Sequence, residues 1–156
     1  MIFVTLGTQK QQFTRLLQYI ENENIKDEII VQNGKTKFKS KKMKLINFIS
    51  YQEMIEYINQ ADIIISHGGI SVIDAVKLGK KVICCPRNKE NKEHINNHQY
   101  EMTSFLEKNK YILACRNEKE FKHCIKNIKK FTPRKWDYNK ESLINKLEKI
   151  IDEYIK

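Results

Sequence analysis

The chain has 156 residues, of which 40% are hydrophobic and 31% are charged, and its formal net charge at pH 7 is +10. This length and composition are typical of one globular domain that buries its core without disulfides or a structural metal. No apolar run reaches the length of a membrane span, and the first residues lack the basic and apolar segments of a signal peptide, so we expect a soluble protein.

Six apolar runs of strand length follow one another along the chain. They are rich in Ile and Val and almost free of polar residues, which is typical of strands buried on both faces of a sheet. These strands are predicted at Ile2 to Leu6, Glu28 to Gln32, Lys44 to Phe48, Asp62 to Ser66, Lys81 to Cys85 and Tyr111 to Ala114.

Segments with the spacing of one helical face lie between most of these runs. The alternation of strand and helix favours a parallel sheet with right-handed crossovers. The predicted fold class is therefore α/β, a doubly wound and mostly parallel sheet in a single Rossmann-like domain. The apolar faces of the predicted helices extend over Phe13 to Ile20, Met54 to Ile58, Val72 to Leu78, Tyr100 to Leu106 and Phe121 to Ile128.

The densest group of positive charges lies in a predicted loop before the third strand, at Lys35, Lys37, Lys39, Lys41, Lys42 and Lys44. A solvated loop is the favoured interpretation, and a contact with lipid headgroups is the alternative. Elsewhere the basic residues are scattered, and no stacking motif or recognition helix accompanies them. We therefore expect no nucleic acid partner, although the net charge raises that question.

The four cysteines, Cys84, Cys85, Cys115 and Cys124, include no C-x-x-C pair. Cys84 and Cys85 are adjacent in an apolar run, where cysteine behaves as a small buried hydrophobe. We therefore expect free thiols and a reducing cytosol.

A last amphipathic helix is predicted from Asn139 to Ile155, after a loop that holds Pro133 and Trp136. Such a helix either packs back on its own domain or docks another chain, and the sequence leaves both open. We accordingly expect a domain of residues 1–131 and a C-terminal element of residues 132–156.

Three polar segments come directly after predicted strands, where ligands bind in an open α/β sheet. They are Gly7-Thr8-Gln9, the segment from His67 to Ser71, and the long loop from Pro86 to Gln99. These segments are the candidate site.

The middle segment, His67-Gly68-Gly69-Ile70-Ser71, is the most informative. Adjacent glycines let the backbone approach a bulky anion, and the following helix offers unpaired N–H groups and the positive end of its dipole. The pattern matches neither a P-loop nor a dinucleotide-binding G-x-G-x-x-G. It predicts a diphosphate site, with a tight turn that binds nothing as the alternative.

Two nearby side chains have two interpretations each. Ser71 and Asp74 have the S-x-x-[DE] spacing of a capping motif, but the Asp74 carboxylate is also placed to accept hydrogen bonds from ribose hydroxyls. His67 is a candidate for contacting phosphate or carrying a proton, although a lone His at a strand end is more often structural. The catalytic residues are left unassigned.

The third segment ends in Asn97-His98-Gln99, whose amide and imidazole groups suit sugar hydroxyls. His94 and His98 stand at i and i+4, as in some metal sites. No H-E-x-x-H motif or third ligand of suitable spacing accompanies them, so we favour sugar contacts and predict no metal.

In order and spacing these segments resemble the C-terminal, donor-binding domain of the MurG-like glycosyltransferases of family 28. The resemblance covers MIFVTLGTQ, the stretch from Phe48 to Pro86, and NNHQYEMTSFLEKN. It extends to free-standing members, namely the PssE-type subunits of exopolysaccharide synthesis and the small subunit of the eukaryotic dolichol-linked N-acetylglucosamine transferase.

The resemblance implies one half of a GT-B architecture and assigns roles to the candidate residues. The position of Asp74 is usually Glu in the family, where it binds the ribose, so the shorter Asp has less reach. The remaining roles are diphosphate binding by Gly7, Thr8, Gln9, Gly68, Gly69, Ile70 and Ser71, sugar contact by Asn97, His98 and Gln99, and a base pocket at Phe48 and Ile49. His67 stays a donor-site candidate on its own chemistry.

The implied activity is an inverting transfer of a hexose or N-acetylhexosamine from a UDP-sugar to a polyprenyl-diphosphate-linked glycan in surface polysaccharide synthesis. The resemblance implies no cofactor or metal. It implies a membrane-anchored PssD-like subunit that binds the acceptor and brings this cytoplasmic chain to the inner face of the membrane. The alternative is a non-catalytic stabilising subunit that has lost donor binding, which Asp74 in place of Glu would suit.

Overall fold

A sheet of parallel strands forms the centre of the structure, which is a computed structural model describing residues 1–137, 145–147, 149–150 and 152. Within these residues the sheet has six strands in the order β3-β2-β1-β4-β5-β6. Each neighbouring pair is parallel. The strands are β1 (Ile2–Thr5), β2 (Ile29–Gln32), β3 (Met43–Ile46), β4 (Ile63–Ser66), β5 (Lys81–Cys84) and β6 (Leu113–Ala114).

Helices cover both faces of this sheet. Their apolar spacing in the sequence accounts for their positions, and their bounds are α1 (Thr14–Asn22), α2 (Tyr51–Gln60), α3 (Ile70–Lys77), α4 (His98–Lys108) and α5 (Glu118–Asn127). The doubly wound α/β class predicted from the sequence is confirmed.

The core is divided by the sheet into two clusters. On β1, Ile2 and Val4 belong to the cluster under α1 and α5, whereas Phe3 belongs to the cluster under α2, α3 and α4. Because both faces are buried, the strands read as unbroken apolar runs instead of alternating ones.

Three strands, β1, β3 and β5, end one or two residues earlier than predicted, and the other three end where predicted. After β1, Leu6 still donates its N–H to the Gln32 carbonyl at 2.9 Å, but it has left the regular ladder. The largest difference is β6, which has only two residues, Leu113 and Ala114, against the four predicted. It lies at the edge of the sheet and pairs only with β5.

The lysine-rich segment is a loop, as predicted, and it takes the place of a crossover helix between β2 and β3. Thr36 and Phe38 pack inward, toward α1 and the core beneath it. Lys35, Lys37 and Lys39 are exposed between them, which is the alternation of an extended chain.

All four cysteines are free and buried, as the sequence predicted. Burial raises the pKa of the Cys84 thiol to about 12, so this thiol stays protonated at neutral pH.

Part of the predicted C-terminal helix falls in the described residues. Leu147 is helical and buried in the cluster under α2, α3 and α4, and Trp136 packs on Tyr111 in the same cluster. Residues 138–144, 148, 151 and 153–156 lie outside the described residues, so docking of another chain on this helix stays a prediction. In the part of the chain that is described, no helix is both long and apolar enough to cross a membrane.

Candidate functional site

A cleft of about 530 Å³ opens at the carboxyl ends of the strands, between the turns that follow β1 and β4. The strand order reverses at this point, since β2 lies on one side of β1 and β4 on the other. This is where ligands bind in open α/β sheets. The predicted residues that line it are Gly7, Thr8, Gln9, Ile49, His67, Gly68, Gly69, Ile70, Ser71 and Gln99.

Four predicted residues do not line the cleft. Phe48 is 53% exposed, next to the lining residue Ile49. Asp74 accepts a hydrogen bond from the lining residue Tyr51, and Asn97 and His98 directly precede the lining residue Gln99 in the chain. Contact of these four residues with a ligand stays a prediction.

Another depression, of about 490 Å³, lies at the opposite edge of the sheet and includes Met1, Asp62 and Lys80. The amino group of Met1 pairs there with the Asp62 carboxylate at 2.6 Å. Because this edge holds the amino ends of parallel strands, it is not where this architecture binds ligands.

The turn after β1 is fixed by Gln32, which sequence reasoning missed. Its Oε1 accepts from the Thr5 hydroxyl at 2.8 Å and from the Gly7 N–H at 3.2 Å. Its Nε2 donates to the carbonyls of Gly7 and Asn47 at 3.1 and 3.0 Å. In the sequence, the signal for this role was a glutamine at the end of an apolar strand. A side-chain amide buried there needs hydrogen-bond partners for both its oxygen and its nitrogen.

Gly7 itself brings this turn against His67. Its φ is +74°, a conformation that glycine adopts most readily. A Cβ at this position would lie 2.6 Å from His67 Nε2. The absence of a side chain at Gly7 therefore permits the close approach of the two strand ends.

His67 is buried, and its hydrogen bonds identify its tautomer. The Gln99 Oε1 accepts from the Arg87 N–H at 3.0 Å, so the Gln99 Nε2 donates to His67 Nδ1, also at 3.0 Å. Nδ1 is thus an acceptor, and the ring proton is on Nε2, which points toward Gly7. Burial, and then the charge of Arg87, lower the His67 pKa to about 3. His67 is therefore a neutral hydrogen-bond donor at physiological pH.

The first turn of α3 has no side-chain cap. The helix begins at Ile70 with Gly69 as its N-cap, and Gly69 supplies no capping hydrogen bond. The capping interpretation of Ser71 is wrong, because its hydroxyl lies inside the helix and pairs with the Ser66 hydroxyl at 3.0 Å. The N–H groups at this end of α3 are thus free of a side-chain acceptor and face the cleft, which suits an anion.

A capping box occurs instead on α2. The Ser50 side chain accepts from the Glu53 N–H at 3.1 Å, and the Glu53 carboxylate accepts from the Ser50 N–H at 2.7 Å. Ser50 and the next residue, Tyr51, line the cleft. The Tyr51 hydroxyl donates to the Asp74 carboxylate on α3 at 3.1 Å. The S-x-x-E spacing carried this signal in the sequence.

The loop after β5 is held by buried charges. The Arg15 guanidinium makes a two-nitrogen pair with the Glu93 carboxylate at 2.7 and 2.9 Å. Arg87, 1% exposed, donates to the Leu6 carbonyl at 2.6 Å, to the Gln11 carbonyl at 2.7 Å and to the Glu93 carbonyl at 3.0 Å. This network joins the loop to the turn after β1. Burial lowers the pKa of Arg87 to about 10, so it remains charged at neutral pH.

The end of this loop has a more structural role than the sequence suggested. Asn97 is the N-cap of α4, and its side chain bonds Lys89 N and Glu90 Oε1, both at 2.9 Å. His94, considered from the sequence only as a metal ligand, lines the cleft beside Gln99. Among the described residues, no cluster of three or more His, Cys, Asp or Glu side chains has the geometry of a metal site.

Comparison with known proteins agrees with this architecture. Residues 1–154 match the family model for the glycosyltransferase family 28 C-terminal domain. The solved glycotransferase of kitacinnamycin aligns at a TM-score of 0.56 and 12% identity, over 97% of this chain and 38% of that one. The glycosyltransferase SnogD from Streptomyces nogalater aligns at 0.46 and 13%, over 85% of this chain and 38% of that one. Comparison with curated proteins gives no match.

Proposed function

The chain belongs to the glycosyltransferase family 28 C-terminal domain, and from that premise we propose that it binds the UDP-sugar donor of a two-component inverting glycosyltransferase. The observation that carries the proposal is the convergence of hydrogen-bond donors on one cleft. The uncapped first turn of α3 and the turn that contains Gly7 line the same cleft, and the Nε2 of His67, which carries the ring proton, points toward Gly7.

These donors suit a diphosphate. A helix N-terminus and a neutral imidazole N–H stabilise negative charge without contributing a proton. In glycosyl transfer the diphosphate is the leaving group, so charge develops on it as the bond to the sugar breaks. Fixed donors at this position lower the barrier because they are oriented before the reaction begins.

The rest of the cleft supports a division between base and sugar. Ile49 and Met54 give it an apolar side next to Tyr51, which suits a uracil ring. Gln99 and His94 also line the cleft, and the Gln99 amide bonds Arg87 and His67 there. The sugar contacts proposed from the sequence thus find most support at Gln99.

A second subunit that supplies the general base is part of the proposal. The chain spans 38% of the length of the solved glycotransferase of kitacinnamycin. His67 is a poor general base, because its lowered pKa means that the ring binds a proton only weakly and its Nδ1 already accepts a hydrogen bond. We propose that a membrane-anchored PssD-like partner supplies the base and binds a polyprenyl-diphosphate-linked acceptor, as in surface polysaccharide synthesis. That partner would recruit this PssE-type chain to the inner face of the membrane.

Calorimetry with UDP and UDP-hexoses tests the donor site directly. We expect the purified chain to bind UDP, and Gly7→Ala to weaken binding about 10-fold to 100-fold, because the new Cβ displaces His67 and the turn from a charged ligand. Gly79→Ala is the matched control: Gly79 has a similar φ of +71°, yet its Cβ would meet nothing within 4 Å.

Two results would contradict the proposal. Undetectable binding of UDP and UDP-sugars by the wild-type chain at millimolar ligand would favour a non-catalytic stabilising subunit. Equal weakening by Gly79→Ala and Gly7→Ala would show that backbone strain, and not the cleft, governs the effect.

A further inference from the structure

Tyr51 stands between the cleft and the carboxylate of Asp74. Tyr51 lines the cleft, whereas Asp74 does not. Tyr51 is 61% exposed, and the described contact of the Tyr51 hydroxyl is the 3.1 Å hydrogen bond to Asp74 Oδ2. The acidic group of α3 therefore meets the cleft through a phenol contributed by α2.

This arrangement determines what the phenol can offer a ligand. A phenol has one proton, and a carboxylate is purely an acceptor, so the proton of Tyr51 is directed at Asp74. The same contact raises the Tyr51 pKa, so the proton stays on the phenol at neutral pH. The hydroxyl oxygen is left with lone pairs and no proton to give.

A polar group that only accepts is selective for a ligand that donates. In UDP the phosphates are acceptors and are repelled by it, whereas the ribose hydroxyls and the uracil N3–H are donors, and analogues that lack one ribose hydroxyl distinguish the two. The distance of Asp74 from the cleft also explains how a short Asp serves here, because the phenol extends its reach.

We propose that Tyr51 recognises the ribose of the donor nucleotide, its hydroxyl oxygen accepting from a ribose hydroxyl while Asp74 orients it as a positioning residue. This inference rests on the proposed donor site. It assigns ribose selectivity to α2 and an indirect role to Asp74.

Calorimetry with UDP, 2′-deoxy-UDP and 3′-deoxy-UDP tests the assignment. We expect the wild-type chain to prefer UDP over at least one deoxy analogue by about 3-fold to 10-fold, the effect of one net hydrogen bond. Tyr51→Phe should bind UDP more weakly by the same factor and lose the preference. Tyr57→Phe is the matched control, since Tyr57 lies on the same helix and stacks on Phe3, away from the cleft.

A double-mutant comparison tests the role of Asp74. If Asp74 acts only through Tyr51, adding Asp74→Ala to Tyr51→Phe should leave UDP binding and deoxy discrimination unchanged. A preference for UDP that survives in Tyr51→Phe and disappears only when Asp74→Ala is added would show direct contact of Asp74 with ribose and overturn the positioning role. Circular dichroism of each variant checks that it is folded.

The outcomes distinguish a failure of the ribose assignment from a failure of the proposed donor site. If the wild-type chain binds no UDP, the donor site is wrong and the ribose assignment is wrong with it. If the wild type binds UDP but Tyr51→Phe keeps the full preference for ribose, or binds UDP more tightly because the phenol was an obstruction, the ribose assignment alone is overturned.

Discussion

A single histidine shows how burial defines a residue's chemistry. From the sequence, His67 had two roles open to it, phosphate contact and proton transfer. Its pKa of about 3 and the Gln99 hydrogen bond at Nδ1 favour the first role, because a ring that stays neutral and donates from Nε2 does not collect a proton at neutral pH. His67 lies in the cleft at the end of β4, where the sequence predicted it. Its protonation state depends on neighbours that are distant in the sequence.

The lowered pKa of His67 makes stability depend on pH. In the unfolded chain the residue protonates near its ordinary pKa of 6.5, but in the folded chain only near 3. Protonation therefore favours the unfolded state, and stability is lost as the pH falls from about 6.5 toward 3. We expect the wild-type free energy of unfolding to fall about 2 kcal/mol further than that of His67→Gln between pH 8 and pH 5.

Urea unfolding at several pH values measures this difference. The other three histidines, His94, His98 and His123, are present in both proteins, so their titration largely cancels in the comparison. Parallel pH profiles would show that His67 is protonated as easily in the folded chain as in the unfolded one.

At the scale of elements, the helix starts divide into capped and uncapped ones. Ser50 on α2 and Asn117 on α5 accept from first-turn N–H groups. The N-cap residues of α1, α3 and α4 make no such bond. The capped starts are complete within the protein. The uncapped start of α3 lies at the switch point of the sheet, where a bound anion would complete it.

Removing the two caps should have equal structural effects and unequal effects on binding. Ser50→Ala and Asn117→Ala should each lower the free energy of unfolding by about 1 kcal/mol, the usual contribution of an N-cap. Only Ser50→Ala should also weaken UDP binding, because α2 begins with Tyr51 at the cleft.

Chemical denaturation and calorimetry on the same two preparations give both values. Loss of UDP affinity in Asn117→Ala as well would indicate a general effect of destabilisation on the site and remove the special role of α2.

Over the whole molecule, one network joins parts far apart in sequence. Arg15 on α1 and Glu93 in the loop after β5 are 78 positions apart, and Arg87 reaches the Leu6 carbonyl 81 positions away. These bonds hold the loop after β5 against the turn after β1, so they fix two walls of the cleft relative to each other. No local sequence pattern marks Arg15, Arg87 or Glu93 as members of a buried network.

Breaking this network should be costly. Glu93→Ala removes the carboxylate that is bonded to Arg15 and whose charge offsets that of buried Arg87, and we expect it to lower the free energy of unfolding by about 3 to 5 kcal/mol. Glu90→Ala is the matched control, since Glu90 is an exposed carboxylate in the same loop and should have a much smaller effect.

Guanidinium chloride unfolding of the wild type and both variants measures the two costs. Similar destabilisation by Glu93→Ala and Glu90→Ala would mean that the loop tolerates loss of any carboxylate and that the buried network contributes little.

The sequence by itself determined the fold class and the place of the cleft. Unbroken apolar strands such as Ile63 to Ser66 are stable only between two layers of helices, and glycines such as Gly68 and Gly69 stand where a parallel sheet exposes its strand ends. Both signals are local, since they depend on neighbouring residues in the chain.

Only the tertiary structure decided how individual side chains are used. It removed the capping role of Ser71 by pairing it with Ser66, and it interposed Tyr51 between Asp74 and the cleft. It also set the tautomer of His67 through Gln99. Most of these outcomes depend on contacts between residues far apart in sequence, and even the pairing of Ser71 with Ser66 depends on where α3 begins. The pattern of residue types therefore does not predict these outcomes.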